Sequence, residues 1–190
     1  MTRHLQMRSA PQRKISGREW LVFLIGFMGA GKTTVGKVLA KRLGWKFYDL
    51  DQLIETREQR SIASIFAESG ENTFRTIESA VLNELLEQQL KEDSAIVALG
   101  GGAFVHPHNR DVLQRAGVVT VLLSAPVEEL ARRCQSSGNM RPLAGDQRKF
   151  EQLFESRQEA YSLAQFRVET QGKPVQQVAK EIERLLKTSN

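Results

Sequence analysis

The sequence predicts a single α/β domain, a doubly wound sheet of five parallel strands covered by helices on both faces. Apolar strand-like runs alternate with segments of helical periodicity along the chain. The runs are almost continuously apolar, which is typical of parallel strands buried on both faces. A chain of 190 residues with 41% hydrophobic residues can bury one such core.

The first elements enclose a glycine-rich segment. Residues 20–25 predict the first strand, and a helix from about residue 32 ends near residue 43, where Gly44 suits a left-handed cap. Residues 46–49 predict a short second strand, and a helix follows from about Asp51. Ser61 can cap the next helix, which ends at Gly70.

Apolar spacing and two apolar runs predict the remaining elements. Residues 95–99 and 118–123 predict the third and fourth strands, Pro126 suits the first turn of the helix after the fourth, and residues 167–169 predict a weak fifth strand. Three helices are predicted from apolar residues at helical spacing: Phe74, Ile77, Val81, Leu82 and Leu85 in the first; Phe150, Leu153, Phe154 and Tyr161 in the second; Val175, Val178, Ile182 and Leu185 in the third.

The most specific motif lies directly after the first strand. Residues 26–33 read Gly-Phe-Met-Gly-Ala-Gly-Lys-Thr, a G-x-x-x-x-G-K-[ST] phosphate loop between a strand and a helix. Its glycines let backbone N–H groups point at phosphate oxygens, Lys32 places a charge on the β/γ-phosphates, and the Thr33 hydroxyl can ligate Mg²⁺. The sequence therefore predicts a nucleoside-triphosphate site that includes Gly29, Ala30, Gly31, Lys32, Thr33 and Thr34.

Two carboxylates close the second predicted strand. Asp49 and Asp51 are two residues apart, so on a strand both side chains point the same way. One can serve Mg²⁺, which usually takes only one or two ligands from protein, while the other accepts a hydrogen bond from a substrate hydroxyl. The alternative is an Asx turn with Asp51 as a helix N-cap.

Two further features suggest a ligand at the same edge of the sheet. Gly100, Gly101 and Gly102 follow the third strand and let a backbone approach a ligand closely, or form a tight turn. Arg75 lies beside the apolar face of the long helix, with Glu78 three residues on to orient it. The alternative is a surface arginine whose stem covers apolar neighbours.

Positive charge concentrates in two segments. Residues 1–20 carry five basic side chains against one acidic one, so four of the five net positive charges lie there. We expect residues 1–18 to be a disordered basic extension, with a mitochondrial presequence as the alternative. Residues 132–149 again carry five basic side chains against one, among serines and glycines. We expect a mobile lid over about residues 135–149 that closes on phosphates, with a solvated loop as the alternative.

Composition narrows the partners and the compartment. The nearly neutral remainder of the chain argues against a nucleic-acid surface. No apolar run approaches the roughly 20 residues needed to span a bilayer, and the N-terminus lacks the apolar region of a secretory signal. The single cysteine, Cys134, excludes an intramolecular disulfide and fits a reducing compartment. We predict a cytoplasmic monomer that binds neither membrane nor nucleic acid.

In order and spacing, these motifs resemble those of shikimate kinases. The matching segments are the phosphate loop, Asp49-x-Asp51, Phe74-Arg75-x-Ile77-Glu78, Leu99-Gly100-Gly101-Gly102-Ala103, Met140-Arg141-Pro142-Leu143 and Arg157-x-x-x-Tyr161. The resemblance runs from about residue 20 to residue 186. The Asp-x-Asp, Phe-Arg and triple-glycine segments together are much more specific than the phosphate loop alone.

The resemblance implies a P-loop kinase domain over residues 19–188 that transfers the γ-phosphate of MgATP to the 3-hydroxyl of shikimate. It implies that Lys32, Asp49 and Arg141 are catalytic, that Arg141 reaches the nucleotide from the lid, and that Thr33 and Asp49 hold Mg²⁺. Two questions stay open: whether Asp49 removes the proton, and which of two neighbouring arginines contacts adenine, Arg132 or Arg133.

The resemblance also implies a set of shikimate-binding residues. Asp51 would hold ring hydroxyls, Arg75 and Arg157 would pair with the carboxylate, and Gly101 and Gly102 would line the pocket through their backbone. Two guanidinium forks fix both the charge and the orientation of a carboxylate.

Three other functions are weighed against shikimate phosphorylation. They are a related small-metabolite kinase such as a gluconate kinase, a catalytically silent regulator that binds nucleotide or shikimate, and a nucleic-acid-binding P-loop module. The aspartate pair, Arg75 and the triple glycine favour shikimate as the acceptor. A silent relative should have lost Lys32, Asp49 or Arg141, and all three are present.

Overall fold

The computed structural model describes residues 20–89, 93–136 and 147–188. The predicted N-terminal extension lies outside these residues, and so does the middle of the predicted lid with Arg141. The two ends of that predicted lid are helical, because residues 135–136 end one helix and residues 147–149 begin the next.

Five parallel strands form one sheet, as the sequence predicts. They are β1 (Leu21–Ile25), β2 (Lys46–Asp49), β3 (Ala95–Ala98), β4 (Val119–Ser124) and β5 (Phe166–Glu169), in the spatial order β2-β3-β1-β4-β5. Ala98 is in register with Asp49 on one side and with Leu24 on the other. The carboxyl ends of β2, β3 and β1 are therefore level, and residues just beyond them meet at one edge.

Seven α-helices connect and cover the strands within the described residues. They are α1 (Lys32–Leu43), α2 (Leu50–Glu58), α3 (Ile62–Gln89), α4 (Pro107–Arg115), α5 (Val127–Ser136), α6 (Gln147–Ser162) and α7 (Val175–Thr188). Helix α1 packs against α7, α2 packs against α3, and α5 packs against α6. The right-handed rule for crossovers between parallel strands assigns α1 to one face of the sheet and α2 to α6 to the other. In the described part of the chain, no helix has the length and apolar character that a membrane crossing needs.

Element α3 contains the two helices that the sequence predicts on either side of Gly70, whose non-helical φ of 78° and ψ of 172° suit only glycine and interrupt the helix there. Two other elements differ from the sequence prediction. The sequence did not predict α4 or the 3₁₀ turn Ala103–Val105 before it. The nine residues of α4 include only two large aliphatic side chains, Val112 and Leu113, so apolar periodicity could not reveal it.

The strand order creates a ligand crevice at the carboxyl edge. The connection after β1 runs toward β2, whereas the connection after the adjacent β4 runs toward β5. Open parallel sheets bind ligands outside the carboxyl ends of strands at such a switch point. The phosphate loop, which joins β1 to α1, lies there.

Candidate active site

The phosphate loop has the conformation that its glycines predict. Gly26, Gly29 and Gly31 all have positive φ, at 143°, 79° and 90°. A Cβ on Gly26 would lie 2.5 Å from the Leu123 carbonyl oxygen, so only glycine fits there. Gly31 is the N-cap of α1 and offers no side-chain acceptor, which leaves the first N–H groups of α1 to an anion.

Lys32 folds over the loop that precedes it. Its Nζ donates to the carbonyl oxygens of Gly26 at 2.9 Å and Phe27 at 3.1 Å. These neutral acceptors hold the ammonium at the cavity wall. A phosphate, which bears negative charge, is a stronger acceptor for the same donor.

Asp49 joins the phosphate loop to the end of β2. Its Oδ2 accepts a hydrogen bond from the Thr33 hydroxyl at 2.6 Å, and its Oδ1 accepts one from the Asp51 backbone N–H at 3.1 Å. Asp49 is therefore the N-cap of α2, and the alternative that made Asp51 the cap is wrong. The expected strand-like alternation of the pair is also wrong, because α2 begins at Leu50, yet both carboxylates line the same cavity.

The Thr33–Asp49 pair fits a magnesium ion that takes most of its ligands from phosphate and water. Among the described residues, no three His, Cys, Asp or Glu side chains group closely enough to hold a metal ion by themselves. Two adjacent hard oxygens, one hydroxyl and one carboxylate, are what such an ion needs from the protein beside a phosphate loop.

Asp51, Arg75 and Arg157 converge on the turn after β3. Each has an atom within about 3 Å of the position that a Cβ on one of the three consecutive glycines, residues 100–102, would occupy. The structure thus brings together the side chains that the sequence proposed for the acceptor, from α2, α3 and α6.

Arg75 has one buried and one exposed anionic partner. Its Nη1 donates to Glu78 at 2.8 Å, and its Nη2 donates to Glu71 at 3.0 Å. The Glu78 side chain is 1% exposed and that of Glu71 is 66% exposed. Exposed ion pairs contribute little to stability, so a ligand carboxylate can replace Glu71 as a partner of Arg75. The buried Glu78 would remain paired with Arg75. The interpretation of Arg75 as a covering surface residue does not fit these contacts.

An aromatic cluster supports Arg157. The guanidinium carbon of Arg157 lies 5.5 Å from the centroid of the Phe27 ring, and Phe27 packs edge-on against Phe150 and Phe154. Tyr161, one helical turn after Arg157, donates from its hydroxyl to the Gly101 carbonyl at 2.5 Å. Burial raises the pKa of Tyr161 to about 12, against the opposing effect of Arg157, so the hydroxyl stays a donor.

The far end of the cavity contains residues that sequence reasoning did not assign. The cavity, of about 520 Å³, extends from the phosphate loop past Cys134 to Thr170 and Lys173. Arg133 lines it and donates to the Thr170 hydroxyl at 3.0 Å and the Thr170 carbonyl at 3.1 Å. Both arginines pair with Glu129, but the Arg132 side chain is 68% exposed and does not line the cavity. Arg132 and Arg133 are adjacent on α5, so their side chains point in different directions around the helix. No sequence motif indicated which of the two faces the cavity.

Replacing Glu78 with glutamine should affect protein stability and acceptor binding in opposite directions. Burial, followed by the nearby Asp51 carboxylate, raises the pKa of Glu78 even though Arg75 and Arg157 oppose the shift. A raised carboxyl pKa means that the folded state binds the proton more tightly, so stability is lost as pH rises from the ordinary value through the raised one. We expect the melting temperature of Glu78→Gln, measured relative to that of the wild type, to be higher at pH 8 than at pH 5.

The same substitution should weaken acceptor binding, because Arg75 loses its ionic anchor. We expect the KM for the acceptor to rise roughly fivefold, corresponding to about 1 kcal/mol for one weakened charge-assisted hydrogen bond. Scanning fluorimetry at both pH values and steady-state kinetics provide the measurements. Glu71→Gln is the matched control and should leave the KM unchanged or lower. If the melting temperature of Glu78→Gln instead falls further below that of the wild type as pH rises, the pKa of Glu78 is not raised and the prediction is wrong.

Comparison with known proteins agrees with this geometry. The family model described as shikimate kinase matches residues 28–187. A shikimate kinase from Geobacter metallireducens is 43% identical over 164 residues, which cover 85% of this chain and 88% of the relative. This chain belongs to the shikimate kinase family.

Solved shikimate kinase structures support the same assignment. The shikimate kinase from Acinetobacter baumannii, solved in complex with shikimate, is 34% identical with a TM-score of 0.79, and the match covers 88% of this chain and 93% of that one. A gluconokinase from Sinorhizobium meliloti is 16% identical with a TM-score of 0.61 and shares the fold alone. The chain is thus an ATP-dependent enzyme of the shikimate kinase family.

Proposed function

We propose that this enzyme transfers the γ-phosphate of ATP to the 3-hydroxyl of shikimate, giving 3-phosphoshikimate and ADP. The observation that carries the proposal is the 2.6 Å hydrogen bond between Thr33 and Asp49. It joins the phosphate loop to the end of β2, two residues before Asp51, within one cavity that Gly101 also lines. The nucleotide site and the shikimate site are therefore adjacent, so that a phosphoryl group can pass directly from one ligand to the other.

The donor side is formed by the phosphate loop and the start of α1. Lys32 exchanges its two loop carbonyls for phosphate oxygens, and the first N–H groups of α1 add their positive dipole end. Thr33 and Asp49 would hold Mg²⁺, which when bound neutralises charge on the β/γ-phosphates. Arg141 would add a cation from the lid, and that role depends on the family resemblance because Arg141 lies outside the described residues.

The acceptor side orients shikimate through its carboxylate and hydroxyls. Arg75 and Arg157 present guanidinium groups to the carboxylate, and Asp51 accepts from ring hydroxyls. Asp49 lies between the two sides and can orient the attacking hydroxyl. Positioning of this kind supplies much of the rate in phosphoryl transfer, because the protein has little covalent chemistry to perform.

The proposal also covers the compartment, the oligomeric state and the partners of the protein. We propose a cytoplasmic monomer without nucleic-acid or membrane partners. The nearly neutral charge beyond residue 20 supports the exclusion of nucleic acid.

A coupled ADP-release assay tests the function across four acceptors: shikimate, quinate, gluconate and a nucleoside monophosphate. We expect kcat/KM for shikimate to exceed that for each of the others by at least about a hundredfold. Quinate and gluconate carry a carboxylate and hydroxyls on carbon skeletons of different shape, and the nucleoside monophosphate has no carboxylate for the arginines. Faster turnover of gluconate would identify the related sugar-acid kinase. Shikimate binding without turnover in the presence of Mg²⁺ would identify the silent regulator.

A further inference from the structure

Three consecutive glycines follow β3, yet their backbone does not require glycine. Positive φ values occur at seven glycines in the described chain, and residues 100–102 are not among them. Gly102, for example, has a φ of −100° and a ψ of −20°, which any residue can adopt. Some constraint other than backbone conformation accounts for three glycines in a row.

The space where side chains would stand is occupied, each time by a different charged group. A Cβ on Gly100 would lie 2.6 Å from Oδ1 of Asp51, and one on Gly102 would lie 2.5 Å from Nη1 of Arg75. A Cβ on Gly101 would lie 3.0 Å from Nη1 of Arg157. The shortest contact is therefore with a different group at each glycine, and the three groups are those proposed to bind shikimate. A Cβ on Gly100 would in addition lie 3.3 Å from Oε1 of Glu78, a tight separation that a shift of a few tenths of an ångström relieves.

The contacts are made by the ends of side chains, not by backbone. Separations under 3.0 Å from a carbon atom cannot persist, so Asp51 or Arg75 must move away from an added Cβ, and at 3.0 Å Arg157 must give by a few tenths of an ångström. Rotation of an arginine or aspartate end costs far less than displacement of the buried sheet edge. An added methyl group is therefore expected to displace the charged group and leave the fold intact.

We propose that Gly100, Gly101 and Gly102 are positioning residues that leave the space in which Asp51, Arg157 and Arg75, respectively, reach the acceptor. This inference rests on the proposed function and adds to it a role for Gly100 and a steric role for the other two. The shortest contact of each glycine is with one charged group, so the three positions differ in which part of the substrate they mainly affect.

The test compares Gly100→Ala, Gly101→Ala and Gly102→Ala on two acceptors, shikimate and its neutral methyl ester. Displacing either arginine weakens recognition of the carboxylate alone. Gly101→Ala and Gly102→Ala should raise the KM for shikimate roughly tenfold and that for the ester less than about twofold. Displacing Asp51 weakens recognition of the hydroxyls, so Gly100→Ala should raise both KM values by about the same factor, near tenfold. The KM for ATP should stay within about twofold in all three variants.

Gly117→Ala is the matched control. Gly117 has a φ of 63°, so alanine there is strained, but no atom lies within 4 Å of the added Cβ. It should lower the melting temperature without changing either acceptor KM. If the three test variants behave like this control, or raise the KM for ATP as much as that for shikimate, the proposal is wrong.

A double-mutant cycle keeps the test decisive if a single variant folds poorly. Removing the Arg75 side chain vacates the space, so Gly102→Ala should add no further loss when combined with Arg75→Ala. Additive losses in KM or melting temperature would overturn the proposal. The wild type is assayed first. If it fails to phosphorylate shikimate, the proposed function is wrong, and this result is independent of the glycine variants.

Discussion

Replacing Lys32 with alanine is expected to lower kcat by roughly a hundredfold to a thousandfold, the usual range when one preorganised electrostatic group is removed from the reacting charge. The Lys32 ammonium already lies at the cavity wall, 2.9 Å from the Gly26 carbonyl, so it needs little rearrangement to reach a phosphate. Asp49→Ala should give a loss of similar size, because Asp49 links the Thr33 hydroxyl to the acceptor side of the cavity.

Steady-state kinetics, with circular dichroism to confirm folding, provide the measurement. Lys37→Ala is the matched control, since Lys37 is an exposed lysine one turn further along α1 and should leave kcat unchanged. A loss of the same size in the control would show that the effect comes from destabilising α1. Near-wild-type turnover in folded Lys32→Ala or Asp49→Ala would refute the assigned role.

Replacing Arg75 or Arg157 with alanine is expected to raise the KM for shikimate roughly tenfold to a hundredfold and to leave the KM for ATP nearly unchanged. The loss of one charge-assisted hydrogen bond to a carboxylate typically costs about 1.5–3 kcal/mol. Arg184→Ala, at an exposed arginine on α7, is the control and should change neither KM. Equal effects on both substrates would mean that these arginines are structural.

The two substitutions should differ in their effect on stability. Arg75→Ala removes the cation that faces Glu78, which is 1% exposed, whereas Arg157 mainly contacts the Phe27 ring and the Tyr161 region. Without Arg75 the pKa of Glu78 should rise further, so more stability is lost as pH rises above the ordinary carboxyl value. We expect the melting-temperature deficit of Arg75→Ala to be larger at pH 8 than at pH 5, and that of Arg157→Ala to change less.

Much of the acceptor site could be proposed from the sequence, but its contacts could not. Arg75 and Glu78 are three residues apart on a helix, so their pairing follows from helical geometry. The contact of Phe27 with Arg157 joins residues 130 positions apart, and no local pattern indicates it. Asp49 as the cap of α2 was missed because the alternating pattern treats Asp51 as a strand residue, whereas β2 ends at Asp49, two residues before it.

The sequence by itself determined the fold class, the phosphate loop and the α1 boundaries, because each depends on residues that are contiguous along the chain. Glycines at positions 26, 29 and 31 dictate the loop, and Gly44 ends α1 in a left-handed cap with a φ of 71°. Only the tertiary structure decided that Arg133 and not Arg132 lines the cavity, and that residues 100–102 leave space for three charged groups. Those contacts come from separate helices, and they form only because the order β2-β3-β1-β4-β5 brings the ends of distant strands to one edge.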